Sequence, residues 1–381
     1  MNEELTEQQI LLRNTVREFA EGEVAPVAEE LDRQSRFPYE IVAKLGELGL
    51  MGMPVPEELG GAGLDTLSYT VAIEELARVD SSVAITVAAH TSLGTMPIVV
   101  FGDTAQKARW VPELASGRLL GAFGLTEPDA GSDAGATRTR AEEQPDGGWV
   151  VNGSKMFITN AGTDITGCCT ITARTGEDEI TNFIVPAETP GYSVGPAMRK
   201  IGWRASDTRP LSFEDLRLTS DARLGPRGEG FHQFLKVLDG GRISVGAMGL
   251  GLAQGAFEMA LRHAKQRRQF GRSLVGFQAV QFQLAEMATE IASARSLLYL
   301  AARMKDSGDR FTKAAAMAKL VTGRLAQTVA ERALHLHGGY GWIEESPIAR
   351  FYRDAKILDI GEGTVEVQKM VIARAIGAYE E

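Results

Sequence analysis

Apolar side chains recur at helical intervals over the first 120 residues. They repeat every three or four positions, which places them on one face of a helix. The positions that show this spacing are Leu12, Val16, Phe19, Val24, Val27 and Leu31. Pro26 predicts that the first helical stretch ends or bends there, because a proline ring clashes with the backbone of a helix interior. Further helices are predicted after Phe37-Pro38 and over residues 66–79 and 84–96.

The pattern changes to the alternation typical of strands between residues 121 and 228. Residues 149–159 predict two short β runs joined by Asn152-Gly153, since Asn-Gly is a strong signal for a hairpin turn. Further alternating runs begin at Cys169 and Asn182. Cys168 and Cys169 are neighbours on a predicted strand and point to opposite faces, so we expect two buried structural thiols. This region predicts an antiparallel β-barrel or β-sandwich.

Long helical patterns return after residue 230. They cover about 231–267, 279–306, 310–336 and 365–377, and four long helices with short links predict a bundle. Glycines in the first of these patterns lack the spacing of a dinucleotide-binding loop, so they indicate close helix packing instead. The predicted fold is therefore multidomain α+β. It has an N-terminal helical domain (1–120), a middle antiparallel β-barrel or sandwich (121–228) and a C-terminal four-helix bundle (229–381).

Composition and charge narrow the class of protein. The 381 residues are 44% hydrophobic and 24% charged, which is ordinary for a soluble chain of two or three domains. The net charge of −10 argues against a broad nucleic-acid-binding face. No apolar run approaches the roughly 18 residues of a membrane span, and the acidic N-terminus lacks the blocks of a signal peptide. We therefore expect a cytoplasmic protein without a membrane span. The five histidines show no metal-binding spacing.

The most informative short segment is Ile360-Gly361-Glu362-Gly363-Thr364 near the C-terminus. It places one carboxylate between two glycines, whose small size lets a ligand approach the backbone closely. Thr364 is a suitable N-cap for the helix that follows, so the carboxylate would stand at the edge of a rigid element. Taken alone, these five residues are more typical of an exposed turn with a solvated glutamate. Together with the other motifs of the chain, they predict Glu362 as a general base.

Three other segments concentrate groups that bind ligands. Residues 122–134 crowd hydroxyls, glycines and acids into one loop, which suits a polar ring or an anion unless it is a plain surface loop. Residues 335–342 combine histidines with glycines that would let the backbone approach a phosphate or a sugar. The basic run 266–272 suits a pyrophosphate, because the arginine fork forms bidentate hydrogen bonds. The alternative is a cationic helix C-terminus, which complements the helix dipole. Arg350 and Asp354 are four residues apart on a predicted helix, so we expect them to pair with each other.

Together these segments resemble the acyl-CoA dehydrogenases, flavoenzymes of fatty-acid β-oxidation and branched-chain amino-acid breakdown. The resemblance covers essentially the whole chain. The first family signature is matched by Leu125-Thr126-Glu127-x-x-Ala130-Gly131-Ser132-Asp133. The second is matched by the Gly-Gly-x-Gly segment at 338–341 with Glu345, Arg350 and Asp354. Residues 353–357 and 362–364 also match, and all of these motifs occur in the family's order.

The resemblance implies FAD as cofactor, acyl-CoA as substrate and a set of contacts. Flavin contacts are implied for Phe123, Leu125, Thr126, Ser132, Phe157, Ile158 and Thr159. Contacts to the adenosine diphosphate half of FAD in a neighbouring subunit are implied for Arg267, Phe270, Gln278, His335, Gly338 and Gly339. Closure over the cofactor is implied for Thr364 and Glu366, and acyl-CoA contacts for Ser132, Asp239, Arg242 and Gly363. A shared FAD site implies an obligate homo-oligomer, usually a tetramer in this family.

The resemblance also implies the reaction. Glu362 would take the α-proton of the thioester while the flavin accepts hydride from the β-carbon, which gives a trans-2-enoyl-CoA. An electron-transfer flavoprotein would then receive the electrons. Burial beside an acyl chain should raise the pKa of Glu362 above its ordinary value of about 4.3. Isovaleryl-type members carry their base at the position of Gly241, and the glycine here leaves Glu362 as the candidate base.

Three departures from the family pattern change expectations of detail. Gly361 stands where many relatives have Tyr, so one wall of the acyl pocket should be more open and tolerate a bulkier or branched acyl group. Phe157 replaces the usual Trp beside the flavin, which is conservative for stacking. His335 replaces the usual Gln, and an imidazole that becomes charged near pH 6.5 would make FAD retention depend on mild acid.

Two other classes of protein fit the same scaffold. An acyl-CoA oxidase or a flavin monooxygenase would pass electrons to oxygen, although such oxidases are usually much longer than this chain. A non-catalytic flavin-binding protein would have lost the base, and Glu362 is present.

Overall fold

The computed structural model describes residues 5–378, and its N-terminal part is helical. The helices of this part are α1 (Glu7–Phe19), α2 (Ala25–Gln34), α3 (Tyr39–Glu47), α4 (Thr66–Ala77), α5 (Ser81–Ala88), α6 (Met96–Phe101) and α7 (Thr104–Ala115). Pro26 lies in the first turn of α2, directly after a π-helical turn at Ala20–Val24. The backbone stays helical from Glu7 to Gln34, so the stretch does not end at Pro26. The π-helical turn directly before the proline is the irregularity that this residue introduces into the helix.

The segment Ser81–Phe101 forms the apolar centre of the helical part. It comprises α5, a π-helical stretch at Ala89–Thr95 and α6. Its length and hydropathy would suffice to cross a membrane, contrary to the expectation from the sequence that no run comes close. Most of this segment is buried inside the fold, as in the core helix of a globular protein.

The middle part is one mixed sheet. Its strands are β1 (Leu120–Gly124), β2 (Arg140–Glu143), β3 (Trp149–Thr159), β4 (Thr166–Arg174), β5 (Ile180–Pro186), β6 (Tyr192–Val194), β7 (Thr208–Leu218) and β8 (Arg223–Leu224). The order is β6-β7-β3-β2-β4-β5-β8, with β1 paired to β4. Most neighbours are antiparallel, as expected, but β4 is parallel to both β1 and β2.

The hairpin expected at Asn152-Gly153 is wrong. β3 continues through both residues, and its register with β7 shifts between Val151 and Gly153. Gly153 has a φ of +149°, so the dipeptide forms an irregularity within a strand instead of a turn. The Asn152 side chain accepts a 2.8 Å hydrogen bond from the backbone N–H of Asp215 on β7, which fixes the two strands side by side.

The C-terminal part contains the four long helices that the sequence predicts. They are α8 (Gly230–Gln266), α9 (Gln278–Asp306), α10 (Thr312–His337) and α13 (Val365–Ala375). Shorter elements between them are the two-stranded ribbon β9 (Arg268–Gln269) with β10 (Arg272–Ser273), and helices α11 (Gly339–Trp342) and α12 (Pro347–Ala355). Gly251 and Gly255 of α8 lie directly against the backbone carbonyls of Glu74 and Arg78, which confirms close packing as the role of these glycines.

One hydrophobic core joins the N-terminal helices to α8, α9 and α10. A second core fills the sheet, and a third lies between the sheet and α7. Cys169 belongs to the second core and Cys168 to the third, so the adjacent thiols are buried on opposite faces of β4 as predicted. The predicted fold, with a helical N-terminal part, a middle sheet and a C-terminal helical part, is confirmed.

Candidate active site

Glu362 lies in a strained turn between two ordered elements. A 3₁₀ turn at Lys356–Asp359 precedes it, and α13 follows. The φ angles are +50° at Glu362 and +92° at Gly363, so two consecutive residues have left-handed backbone. Thr364 caps α13 by accepting a hydrogen bond from the N–H of Val367, as predicted. A non-glycine residue in this conformation is a feature that clusters at functional sites.

The carboxyl group of Glu362 points into the protein. Its Oε2 atom is buried and has no hydrogen-bond partner among residues 5–378. Burial raises the pKa of Glu362 to about 7, although the charges of Lys319 and Arg242 act in the opposite direction. An added Cβ at Gly241 would lie 2.5 Å from this oxygen. The solvated-turn interpretation of Glu362 therefore does not describe the structure.

Polar groups from three helices surround this carboxyl group. Arg242 is buried and forms an ion pair with Asp239, one turn earlier on α8. The second oxygen of Asp239 accepts a 2.7 Å hydrogen bond from the hydroxyl of Thr312 at the start of α10. Tyr69 of α4 is also buried, and its pKa is raised by burial and then by the charge of Glu362. Of the residues expected to contact acyl-CoA, Asp239, Arg242 and Gly363 thus lie close to Glu362.

The π-helical stretch at Ala89–Thr95 connects this region to the sheet. Leu93 lies beside Gly241, and Gly94 packs directly against the backbone of Gly121 on β1. The Nδ1 atom of His90 accepts a 3.0 Å hydrogen bond from the N–H of Gly121. Burial lowers the pKa of His90 to about 4, which keeps the imidazole neutral and able to accept this bond. Strand β1 therefore approaches the Glu362 region through this stretch.

The loop after β1 is anchored by a buried ion pair that sequence reasoning missed. Glu127 and Lys155 lie 2.8 Å apart and are both buried. Glu127 also accepts hydrogen bonds from the backbone N–H groups of Arg138 and Thr139. Lys155 donates to the carbonyl of Leu125 at 3.2 Å. These contacts anchor the loop on its buried side. Leu125 is half-buried there, whereas Ser132 is exposed.

The residues expected beside the flavin ring follow directly on strand β3. Phe157 has a φ of +63°, which is rare for a bulky residue, and it is 64% exposed. The register of β3 with β7 shifts between Lys155 and Ile158, so Phe157 lies at a bulge. Ile158 is buried in the core of the sheet and is paired with Arg209 of β7. The backbone N–H of Met156 bonds the carbonyl of Thr126 at 2.7 Å, so strand and loop form one surface.

A cavity of about 650 Å³ lies at the far end of α10. Of the residues expected to bind the nucleotide half of FAD, Arg267, Gly338 and Gly339 line it. His335 is exposed and lies outside the lining, whereas His337 lines the cavity and stacks on His263 with ring centroids 4.3 Å apart. The other expected contacts lie at the surface: Phe270 is 93% exposed, and Gln278 and Glu366 are exposed.

The expected pairing of Arg350 with Asp354 is wrong. Arg350 lies 3.5 Å from Asp80 and donates to the carbonyl of Val79. Asp354 accepts hydrogen bonds from the Ser81 hydroxyl and the backbone N–H of Trp203, both at 2.7 Å. Both side chains face the interior of the protein, where partners from other elements outcompete the neighbour on the same helix.

Two residues that bond the Glu362 turn were missed by the sequence analysis. Lys319 of α10 and Gln368 of α13 both donate hydrogen bonds to the carbonyl of Gly363, at 2.6 Å and 2.9 Å. Lys319 follows a run of alanines in the most apolar part of α10, and a lysine there is the one signal that was available.

The three parts of the fold and the site around Glu362 are those of a class of flavoenzymes. Comparison with known proteins agrees with this class. Family models of the acyl-CoA dehydrogenase N-terminal, middle and C-terminal domains match residues 6–118, 122–216 and 228–377. A short-chain specific acyl-CoA dehydrogenase of Clostridium acetobutylicum is 46% identical over 99% of this chain and 100% of its own. The chain belongs to the acyl-CoA dehydrogenase family.

Solved structures of similar proteins share the whole fold. Butyryl-CoA dehydrogenase from Megasphaera elsdenii is 42% identical, with a TM-score of 0.96 over 99% of this chain and 100% of that one. A chain in a structure described as an electron transferring flavoprotein of Acidaminococcus fermentans is 42% identical, with a TM-score of 0.95 over 99% of both chains. An acyl-CoA dehydrogenase complexed with FAD from Bacillus anthracis is 31% identical, with a TM-score of 0.94 over 99% of this chain and 68% of that one.

Proposed function

We propose that this chain catalyses the FAD-dependent α,β-dehydrogenation of an acyl-CoA thioester to the trans-2-enoyl-CoA, with Glu362 as the base. The observation that carries the proposal is the buried, unpaired Oε2 atom of Glu362. A carboxylate oxygen without a partner in the interior is costly unless a ligand or a proton meets it. The α-carbon of a bound thioester is the atom that this oxygen would meet.

The residues around Glu362 suit proton removal from carbon. Burial raises the pKa of Glu362 to about 7, so the carboxylate is a stronger base than a solvated glutamate and about half of it is still ionised at pH 7. The left-handed turn holds the carboxyl group toward Gly241, where no side chain intervenes. Arg242 and Asp239 form a charged pair beside it that is positioned to bind the polar part of the substrate.

The residues on the β-domain face fit FAD. The exposed Phe157 ring stands at a bulge beside the anchored Leu125-Thr126 segment, which offers an apolar surface and backbone groups to a planar ring. Ser132 supplies a hydroxyl on the same loop, and Phe123 is half-buried on β1. FAD, when bound there, supplies the acceptor for the hydride that leaves the β-carbon.

The central test is Glu362→Gln. The amide keeps the size of the side chain but cannot take a proton, so turnover should fall by roughly 10²–10⁴ or more. Bound flavin and the melting temperature should stay at wild-type values. Glu331→Gln, at an exposed carboxylate on α10, is the matched control and should keep full activity. Wild-type turnover by the Glu362→Gln variant would remove the assignment.

We propose an electron-transfer flavoprotein as the electron acceptor. The similarity to a chain in the Acidaminococcus fermentans electron-transferring flavoprotein structure supports this partner. An oxidase or monooxygenase on the same scaffold would consume oxygen directly. Turnover with an electron-transfer flavoprotein under air, without peroxide, is the expected result. Stoichiometric peroxide in the absence of any added acceptor would favour the oxidase instead.

We propose a short acyl group with room for a branch as the substrate. The short-chain and butyryl names of two similar proteins support the short chain. A Cβ at Gly361 would meet nothing closer than the Ile357 carbonyl at 3.5 Å, so the glycine leaves space that a side chain could fill. In a panel of acyl-CoAs, Gly361→Tyr should lower turnover of branched substrates more than that of butyryl-CoA. Equal losses of turnover for branched substrates and for butyryl-CoA would contradict the proposed tolerance of a branched acyl group.

We propose a cytoplasmic homotetramer without a membrane span, in which each FAD lies between two subunits. Lys319, beside Glu362, and His337, at the nucleotide cavity, are 18 residues apart on α10, which separates them by about 27 Å. This separation supports an arrangement in which the flavin ring lies near Glu362 of one subunit and the nucleotide half of the same FAD reaches the cavity of a neighbouring subunit. The exposed Phe270 on the ribbon beside the cavity supports the same arrangement.

A further inference from the structure

Lys319 is a buried cation directly beneath the turn that carries Glu362. Its side chain is 2% exposed, although lysine is seldom buried without a carboxylate partner. Its Nζ atom donates a 2.6 Å hydrogen bond to the carbonyl of Gly363. Within residues 5–378, no carboxylate lies within ion-pair distance of this ammonium group. Burying an ammonium group without an ion-pair partner lowers stability, so stability does not explain a lysine at this position.

The hydrogen bond supports the strained part of the turn. Glu362 and Gly363 both have left-handed backbone, a conformation that persists only where the surroundings hold it. Lys319 and Gln368 are the two side chains that bond the Gly363 carbonyl, and Gln368 also reaches the Glu362 carbonyl at 3.4 Å. The direction of the Glu362 carboxyl group therefore depends on these two donors.

The ammonium group also acts on the charge of Glu362. Three titratable side chains face the carboxyl group: Lys319 from α10, Arg242 from α8 and Tyr69 from α4. Asp359, from the preceding 3₁₀ turn, acts on Lys319 together with Glu362. Lys319 and Arg242 both lower the pKa of Glu362, and Lys319 has the larger effect. Arg242 also forms the ion pair with Asp239, and buried Tyr69 carries no charge at neutral pH. Burial lowers the pKa of Lys319 to about 8, so its ammonium group is present over the pH range in which Glu362 titrates.

We propose that Lys319 is a positioning residue for the catalytic base, which holds the Glu362 turn in its left-handed conformation and stabilises the ionised carboxylate. This role rests on the proposed function of Glu362. When Glu362 takes the substrate proton it becomes neutral, and the ammonium group of Lys319 remains to hold the Gly363 carbonyl. The turn thus keeps its geometry in both protonation states of the base.

The test is the pH profile of kcat/KM for Lys319→Met, measured from about pH 5.5 to pH 9.5. Loss of the cation disfavours the ionised carboxylate, so the pKa of Glu362 should rise from its value of about 7. The acid limb should move upward by about one unit, which means roughly tenfold lower activity near pH 6.5 and substantial recovery at pH 9. A purely structural role would lower activity by the same factor at every pH.

Three further variants make the outcome decisive. Lys319→Arg keeps the charge and should leave the acid limb in place, while Lys313→Met makes the same substitution at an exposed site on α10 and should change nothing. If Lys319→Met does not fold, the neutral and polar Lys319→Gln carries the same expectation, with melting temperature and bound flavin as checks. An unshifted acid limb in a folded, neutral Lys319 variant would overturn the proposal. Full activity of Glu362→Gln would instead overturn the assignment of the base.

Discussion

The carboxyl group of Glu362 combines a buried, unpaired oxygen with a pKa of about 7. Burial favours the neutral form, so a proton is bound at a higher pH than in a solvated glutamate. Only the ionised form takes a proton from carbon. We therefore expect kcat/KM to rise with pH along an acid limb centred near pH 7. A limb near the ordinary glutamate value, at about pH 4.5, would show that the group is solvated when it reacts.

Gly241 provides a second prediction at the scale of one residue. A Cβ added there would lie 2.5 Å from the Glu362 Oε2 atom and 3.7 Å from Leu93. Gly241→Ala should displace the carboxylate and lower kcat by roughly tenfold to a hundredfold, because small misplacements of a catalytic group are costly.

The adjacent variant Gly240→Ala is the control for Gly241→Ala. Its Cβ would meet only the flexible end of Lys305 at 3.4 Å. Both variants add one methyl group to the same helix turn, so a shared loss of helix flexibility would affect them equally. Equal kinetics for the two would contradict the placement of the carboxylate against Gly241.

Strand β3 and the loop after β1 depend on the pair formed by Glu127 and Lys155. Glu127→Gln would leave the Lys155 ammonium buried without a countercharge, at a cost of about 3–5 kcal/mol in the free energy of unfolding. Chemical denaturation measures this cost. The double variant Glu127→Gln/Lys155→Met removes the stranded charge and should be more stable than Glu127→Gln alone.

The same pair predicts how stability responds to acid. Lys155, the Thr137 hydroxyl and a backbone N–H lower the pKa of Glu127 to about 2, against the effect of burial. A carboxyl group with a lowered folded pKa contributes stability above its unfolded value of about 4.5. That contribution is lost as the pH falls from about 4.5 toward 2. Denaturation midpoints across this window should therefore depend on pH more steeply in the wild type than in the double variant.

Helix α8 approaches α4 closely because glycine stands at their contact. A Cβ at Gly251 would overlap the carbonyl oxygen of Glu74, and backbone cannot move aside as a side chain tip can. Gly251→Ala should lower the free energy of unfolding by about 1–3 kcal/mol. Gly22→Ala is the control, because a Cβ at this exposed helical position meets nothing within 4 Å. It should stabilise the protein by about 0.5–1 kcal/mol.

The whole molecule is held together by contacts that cross its three parts. Asp354 of α12 bonds Ser81 in the N-terminal part and Trp203 in the middle part. Arg353, its neighbour, forms an ion pair with Asp32 and donates to the carbonyl of Ile201. These contacts hold the sheet against both helical parts. They therefore hold the surface that carries Phe157 in position relative to Glu362.

Phe270 provides a prediction at the scale of the assembly. Its side chain is 93% exposed at the turn of the β9–β10 ribbon, beside the cavity where we propose that the nucleotide half of FAD binds. Phe270→Ala should lower the bound flavin per chain and shift the mass measured by light scattering below that of a tetramer. Leu11→Ala, at an exposed position on α1, is the control. Unchanged mass and flavin content in Phe270→Ala would contradict a shared site.

Local sequence predicted the elements and singled out the residue that we propose as the base. Helical periodicity predicted the four long C-terminal helices within a few residues, because one buried face forces apolar side chains onto a 3.6-residue repeat. The motif around Glu362 could be interpreted only together with the other motifs of the family, because five residues with two glycines and a cap are also typical of an exposed turn. The adjacent cysteines were correctly expected on opposite faces, because strand geometry alone fixes that alternation.

Tertiary structure alone decided which side chains meet. Asn152-Gly153 became a bulge because β7 lies alongside β3, and Arg350 turned to Asp80 because the residues just before α5 lie within reach of its side chain. Lys319 reaches Gly363 across 44 residues of sequence, and no periodicity encodes a contact of that kind. Burial and charge act through distance in space, so the pKa of Glu362 and the support of its turn follow from the packed fold.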